Sequence, residues 1–318
     1  MMIDLEKLKV KFWDGTYIDE GENGERTSKQ FYFNEEGILI AIKRALGDFT
    51  DRTEKLTAES GNQSLGVERK FKLLCDTGNT SMKESFVKKF VDYFLHQSVD
   101  FKNQEAFDKW HHEMCEMFLE VISPNYQDGL HYGKAQKIVN MTFKNVYCLK
   151  GPHNSEEYYK CCHMPLDSIT LEWVGRTQTY IKKEEPNYLR KGRIPSWSKM
   201  NDKEKNNSEG NCYYSYEEIQ EAIFTYFSKY VEKNPATKYL KGCTPFQAEF
   251  FVWQYMQLEL SVEELYNQFL SFEKLDKKEK GDKKNKFKRK SINEKLEDLQ
   301  SMLKDVERYK VSTDSAGN

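Results

Sequence analysis

Apolar positions along this chain recur mainly at helical spacing. Ile38, Leu39, Ile42 and Leu46 mark a short amphipathic helix from Glu35 to Leu46. Ser81-Met82-Lys83-Glu84 reads as a capping box that opens a second helix, with Phe86, Val87, Phe90, Val91, Phe94 and Leu95 as its stripe. A third runs from about Gln104 to Val121, turns Phe107, Trp110, Met114, Met117 and Phe118 inward, and stops at Ser123-Pro124. The next helix contains Ile138, Met141, Val146 and Leu149 and ends near Leu149, with Gly151-Pro152 as its stop. Asp167 opens the apolar run Ile169 to Val174. Ser215-Tyr216-Glu217-Glu218 is a second capping box, leading into Ile219, Ile223, Phe227, Tyr230 and Val231. Thr244-Pro245 opens a helix with Phe246, Phe250 and Trp253, and a separate helix is expected from Ser261 to Leu275, capped by Ser261 and Glu264. Residues 8 to 33 alternate polar and aromatic side chains around Gly15, Gly21 and Gly24, which predicts a small strand pair or an irregular arm. Thr50 to Val67 reads as a loop, and no internal repeat is found.

These elements predict a mainly α-helical fold in three parts: a helical body over residues 1–272, a basic flexible linker over 273–290 and an amphipathic helix over 291–310. The hydrophilic stretch 201–211 is a surface insertion in the body. Between Lys274 and Lys290 stand ten Lys/Arg and three Asp/Glu, a composition that suits either a solvated tail or a salt-dependent backbone contact to nucleic acid. In the last helix Ile292, Leu296, Leu299, Leu303 and Val306 share one side, which could pack on the body, a partner or a second copy.

Composition changes this picture little. The 318 residues are enough for one large or two small domains, and 19 Tyr and 20 Phe predict an aromatic core. No apolar run reaches the roughly eighteen residues of a membrane span, and the mixed, acidic start Met1-Met2-Ile3-Asp4-Leu5-Glu6 does not read as a secretory signal. Seven irregularly spaced cysteines read as reduced thiols, so a cytoplasmic setting is expected, at the nucleoid if the source is bacterial. The formal net charge of −2 leaves nucleic acid open, because a local basic surface is sufficient. After Val174, Lys182, Lys183, Arg190, Lys191, Arg193 and Lys199 interleave with Tyr180, Tyr188 and Trp197.

The chemistry concentrates between His131 and Ser168. Lys134, Lys137 and Lys144 sit in or beside the apolar run of one helix, and a lysine there must border a cleft or lose its hydration. Lys137 and Lys144 are seven residues apart, two turns on one face. Met164-Pro165-Leu166-Asp167 then offers a lone carboxylate behind a proline. Gln136-Lys137-Ile138-Val139 with Lys144, and Pro165-Leu166-Asp167-Ser168, together resemble the helix-hairpin-helix DNA glycosylase superfamily, nearest its archaeal 8-oxoguanine DNA glycosylase branch. The strong part covers about forty residues. The usual L-P-G-x-G hairpin is replaced by Asp128-Gly129-Leu130-His131-Tyr132-Gly133.

The resemblance implies a two-lobed helical glycosylase-like domain that removes an oxidised or otherwise modified base, such as 8-oxoguanine, from DNA, with an associated β-lyase. It assigns Lys137 as nucleophile and Asp167 as charge stabiliser and proton acceptor. Lys144 would tune Lys137 or contact the base. Glu249 and Trp253, four residues apart, stand where the family carries an Asp-x-x-x-Trp for base recognition, with Glu in place of Asp. Met141 and Phe143 would flank the same pocket. Gly129, Gly133 and Lys134 would hold the DNA backbone at a helix N-terminus. No metal or cofactor is called for, and Cys161-Cys162-His163 lacks chelating spacing. Two plainer readings stay open: Lys137 as a surface lysine with Asp167 as a simple N-cap, and a non-catalytic nucleic-acid- or partner-binding helical protein. A hypermodified base in foreign, phage DNA is the alternative substrate.

Overall fold

Helix α6 (Tyr132–Tyr147) is buried at every residue except Lys134 and Lys137. A helix enclosed on all sides must satisfy its polar side chains inside the protein. Thr142 donates to the Ile138 carbonyl at 2.9 Å and Asn145 to the Ala41 carbonyl at 3.2 Å. Gln136, Asn140 and Lys144 find side-chain partners described below. The chain is a computed structural model that describes residues 2–14, 18–20, 26–28, 31–49, 65–76, 84–97, 100, 102–127, 129–181, 185, 187–201, 205–206, 212–276, 295–301, 303–304 and 310–311.

The architecture is mainly α-helical. In chain order the elements around α6 are α1 (Leu5–Asp14), α2 (Glu35–Gly47), α3 (Val67–Cys75), α4 (Phe86–Leu95) and α5 (Gln104–Ile122), then α7 (Ser168–Thr177), α8 (Tyr216–Lys229) and α9 (Pro245–Asp276). Helices α2 and α5 pack on α6, α7 packs on α9, and α1 lies on α9. Short antiparallel strands pair as β1 (Met2–Ile3) with β6 (Lys310–Val311), β2 (Ile18–Glu20) with β3 (Arg26–Ser28), and β4 (Lys205–Asn206) with β5 (Cys212–Tyr213). The first of these joins the two ends of the described chain.

The core is aromatic, as composition predicts. Phe143 sits at its centre, with ring centroids 5.1 Å from Tyr93, 5.3 Å from Phe94, 5.6 Å from Phe90 and Phe107, and 5.7 Å from Trp110. Most of these rings meet edge to face, the arrangement their quadrupoles favour.

Four expectations change. The arm over residues 8 to 33 starts as helix α1, because Leu5, Leu8 and Phe12 stand at helical spacing and pack inward; the strand pair follows it at 18–28. Helix α4 starts at Phe86 with Ser85 as its cap, accepting from the Lys88 amide at 3.2 Å, rather than at Ser81; residues 81–83 lie outside the described residues. The two helices expected at Thr244 and Ser261 are one, because Leu258 to Glu264 contains neither Gly nor Pro and Ser261 is carried through. Its start is capped reciprocally, Thr244 Oγ1 accepting from the Gln247 amide and Gln247 Oε1 from the Thr244 amide. The basic linker begins inside α9, and 277–290 lie outside the described residues, as does most of the 201–211 insertion. Of the expected terminal helix, 295–301 are helical, with Leu299 buried and Leu296 exposed.

Among the described residues, no helix is long and apolar enough to cross a membrane.

Candidate active site

Helix α6 supplies one half of the site and the turn before α7 the other. The Lys137 ammonium lies 3.8 Å from Asp167 Oδ2, with side-chain exposures of 21% and 17%. Thirty residues of chain separate them, and Gln136 closes that distance. Its side chain is fully buried. Gln136 Nε2 donates to the Gly133 carbonyl at 2.9 Å and the Leu166 carbonyl at 2.8 Å, while its Oε1 accepts from the Leu166 amide at 3.4 Å. One amide side chain on α6 thus clamps the backbone next to Asp167. From the other side, Gln220 of α8 donates to the Met164 carbonyl and accepts from the Met164 amide.

Asp167 divides its two oxygens. Oδ1 caps α7, accepting from the Ile169 amide at 2.9 Å and the Thr170 amide at 3.0 Å, and Thr170 Oγ1 accepts from the Asp167 amide in return. Oδ2 accepts the Trp253 indole N–H at 3.0 Å and faces Lys137. The N-cap is therefore real and leaves the second oxygen to the lysine.

Two turns along α6, the Lys144 ammonium meets Glu249 Oε2 at 2.5 Å, both side chains almost fully buried. The pair sits in an aromatic enclosure: Lys144 Nζ is 4.2 Å from the Phe12 ring centre and 4.7 Å from that of Phe250. Burial raises the Glu249 carboxyl above its ordinary range, against the opposing charge of Lys144. Asp48, at the C-terminus of α2, stands within electrostatic reach of both lysines. Its side chain is open to solvent, yet the protein packed around it raises its carboxyl, with Lys137 first among the charges that oppose the shift.

An aromatic lies against the exposed edge of α6. Trp197 faces both half-exposed lysines, its ring centre 4.6 Å from Lys134 Nζ and 4.9 Å from Lys137 Nζ. The 197–200 segment comes this close because residue 133 is glycine. A Cβ there would lie 1.7 Å from the Trp197 carbonyl oxygen.

Of the residues singled out from sequence, Lys137, Asp167 and Trp253 come together, and Lys144 and Glu249 form the adjoining buried pair. Met141, on the Lys137 side of the helix, is buried. Phe143 is not at the site: six residues past Lys137 it lies about a third of the way around α6 and points into the aromatic core. The glycines do not present free amides to a phosphate. The Gly133 amide donates to the Met200 carbonyl at 3.0 Å and the Gly129 amide to the Tyr126 carbonyl at 3.3 Å. Gly129 instead serves a turn, at φ +70°, where the Leu130 amide reaches Ser123 Oγ. Lys134 remains beside Trp197 at the helix start. Phe12, Asp48 and Trp197 were not picked out as site residues. Only Trp197 carried a signal, as an aromatic within the basic stretch after Val174.

Comparison with known proteins gives no matching family model, curated protein or solved structure.

Proposed function

We propose that this chain is a DNA base-excision glycosylase with an associated β-lyase, built as a two-lobed helix-hairpin-helix glycosylase-like domain, and that its target is an oxidised or otherwise modified base of the 8-oxoguanine kind. The observation that carries the reading is an amine and a carboxylate 3.8 Å apart and partly solvent-accessible, brought together from positions thirty residues apart. A target base is out of reach inside a duplex, so its nucleotide must first be rotated out. Lys137, in its free-amine form, then attacks C1′ with its nitrogen lone pair, and Asp167 takes up the proton that the newly alkylated nitrogen sheds. The electrons of the C1′–N bond leave with the base, which is protonated from water. Positive charge building on the sugar is met by the Asp167 carboxylate, already oriented by Trp253 and by the α7 amides. Opening of the sugar ring gives a Schiff base on Lys137. Water takes the C2′ proton, the 3′ phosphate leaves with the electrons of the C3′–O bond, and hydrolysis of the imine frees Lys137.

The Lys144–Glu249 pair, inside its Phe12 and Phe250 enclosure, supplies fixed polarity beside the reacting groups. Trp253 acts on Asp167 through its N–H, and its partly exposed ring remains available to a base.

A second reading rests on one specific observation: Asp167 Oδ1 is committed to capping α7. If Oδ2 serves only Trp253 and Lys137 as a structural tie, the chain is a non-catalytic helical protein that binds nucleic acid or a partner. A base-release screen separates the two. The purified chain is incubated with duplexes carrying 8-oxoguanine, other oxidised bases or hypermodified pyrimidines, and abasic product is measured. Release from at least one duplex, lost in Lys137→Gln, supports the enzyme. Tight duplex binding without base release from any of them supports the scaffold.

A further inference from the structure

On the side of α6 away from Lys137, helices α5, α6 and α8 enclose a pocket of about 560 Å³. The proposed base-excision chemistry makes no use of it. It is lined by aromatic, histidine, acidic and neutral polar side chains, and no lysine or arginine is among them. Tyr216 stacks on His111 with centroids 5.4 Å apart and planes 5° from parallel, and Tyr132 stacks on His112 at 5.8 Å. Asp108, Glu217 and Glu221 bring three carboxylates to the same pocket. Glu217 and Glu221 are four residues apart on α8, exposed, and without a salt-bridge partner among the described residues.

The polarity of the buried wall follows from its anchors. Gln136 Nε2 donates to two carbonyls, so its Oε1 accepts from Asn140 Nδ2 at 3.0 Å. Asn140 Oδ1 must then accept from His111 Nε2, and His111 Nδ1 is left as the acceptor facing the Cys115 thiol. Burial and the neighbouring His163 hold His111 neutral, far below its ordinary range. Asn140 Nδ2 also donates to the Tyr216 hydroxyl at 2.9 Å, which lies 2.9 Å from His163 Nδ1, and His163 Nε2 donates to the Asp108 carboxylate at 2.8 Å. Gln104 donates to the same oxygen. Both donors fall on Asp108 Oδ1; Oδ2 has no hydrogen-bond partner among the described residues, on a side chain that is 48% exposed. His112 Nδ1, shut off from solvent, also has none.

The pocket thus brings three carboxylates to its walls, and no lysine or arginine lines it. Anions are disfavoured there. Among the described residues no set of three His, Cys, Asp or Glu side chains is arranged to hold a metal ion. Stacked rings under carboxylates suit a planar or compact cation with several N–H donors, which gains ring-face attraction and charge-assisted hydrogen bonds together. We propose that this second pocket binds an organic cation of the guanidinium or alkylamine class, either a free small molecule or the arginine side chain of a partner polypeptide. The site stands independently of the base-excision reading.

The test uses the full chain and two probes, agmatine and a short arginine-containing peptide capped at both ends, in calorimetric titrations. Glutamate and inorganic phosphate serve as anionic controls. Saturable one-to-one binding of either cation is expected. In a Glu217→Gln, Glu221→Gln double variant that melts like the parent, it weakens about ten-fold or more. Tighter binding of agmatine identifies a free small cation, and tighter binding of the peptide a partner's arginine. Histidine ring NMR signals of the unaltered chain locate the ligand without mutation, since His111, His112 and His163 should shift on titration while His153 does not. No saturable binding of either cation up to ~10 mM overturns the proposal, as does affinity unchanged in the variant, preference for the anions, or binding that leaves those three histidines unmoved.

Discussion

At the residue scale, Asp167 performs two tasks with two oxygens, and they can be separated. Asparagine caps a helix about as well as aspartate, so Asp167→Asn should keep α7 anchored. It loses the charge and disturbs the Trp253 bond. Chemical denaturation should report a loss of no more than about 2 kcal/mol, while base release falls roughly a hundred-fold or more. Equal retention of activity would reduce Asp167 to a cap. The buried pair behaves differently. Lys144→Met leaves Glu249 in a low-dielectric enclosure without its counter-charge, a change that typically costs about 3–5 kcal/mol. The sign of its pH dependence follows from the raised Glu249 carboxyl. Such a group contributes fully below the ordinary carboxylate range, and its contribution drains as pH rises through the raised value. Removing Lys144 widens that window, so the variant should be weakest at neutral and alkaline pH and recover part of the loss near pH ~5. Urea denaturation at the two pH values measures this, and a loss independent of pH would contradict it.

Lys137, Lys144 and Asp167 stand out in the sequence through two lysines at whole-turn spacing and a carboxylate behind a proline at a helix start, and Glu249 with Trp253 through the family resemblance; that Lys144 pairs with Glu249 is seen only in the fold. Phe143 was misplaced because membership of the right helix says nothing of its phase. Asp48 and Phe12 were invisible because each reaches the site through tertiary packing, from helix ends that carry no chemical motif.

At the scale of elements, the site depends on how α6 is held at its N-terminus. Gly133 permits the approach of the Trp197–Met200 segment, whose carbonyls lie against the helix. Gly133→Ala places a methyl group into the Trp197 carbonyl and forces the segment away. A loss of about 1–3 kcal/mol is expected, with a changed tryptophan fluorescence spectrum as Trp197 leaves the two lysines. An unchanged spectrum at parental stability would show that the segment does not depend on this contact. Helices α7 and α9 are tied by Arg176, which reaches Glu259 at 2.8 Å and Glu263 at 2.9 Å from α9 while holding Glu172 on its own helix. The Trp253–Asp167 hydrogen bond joins the same two helices nearer the site. The α9 helix read as two in the sequence because Ser261 and Glu264 form a capping pattern. A cap signal without a Gly or Pro to break the preceding turn does not stop a helix.

For the whole molecule, the aromatic, helical character follows from composition and periodicity. The arrangement around one enclosed helix does not. The spacing of Ile138, Met141, Val146 and Leu149 already marks α6 as a buried helix, but Gln136, Asn140, Lys144 and Asn145 lie on faces that a hydropathy pattern assigns to solvent, and their partners on α2, α5, α8, α9 and the Leu166 turn show that it is enclosed all round. A nucleic-acid role makes a prediction at this scale as well. Deleting residues 277–290 removes a dense block of Lys and Arg. The slope of log affinity against log salt for duplex DNA should become shallower, while adduct yield at saturating protein stays unchanged. An unaltered slope would assign the segment no part in binding. The most direct test of the account remains chemical: borohydride reduction during reaction with a duplex from which the chain releases base, followed by mass spectrometry of the trapped peptide. The account predicts one covalent DNA adduct, on Lys137 and absent in Lys137→Gln. An adduct on another residue, or one that persists in that variant, would contradict it.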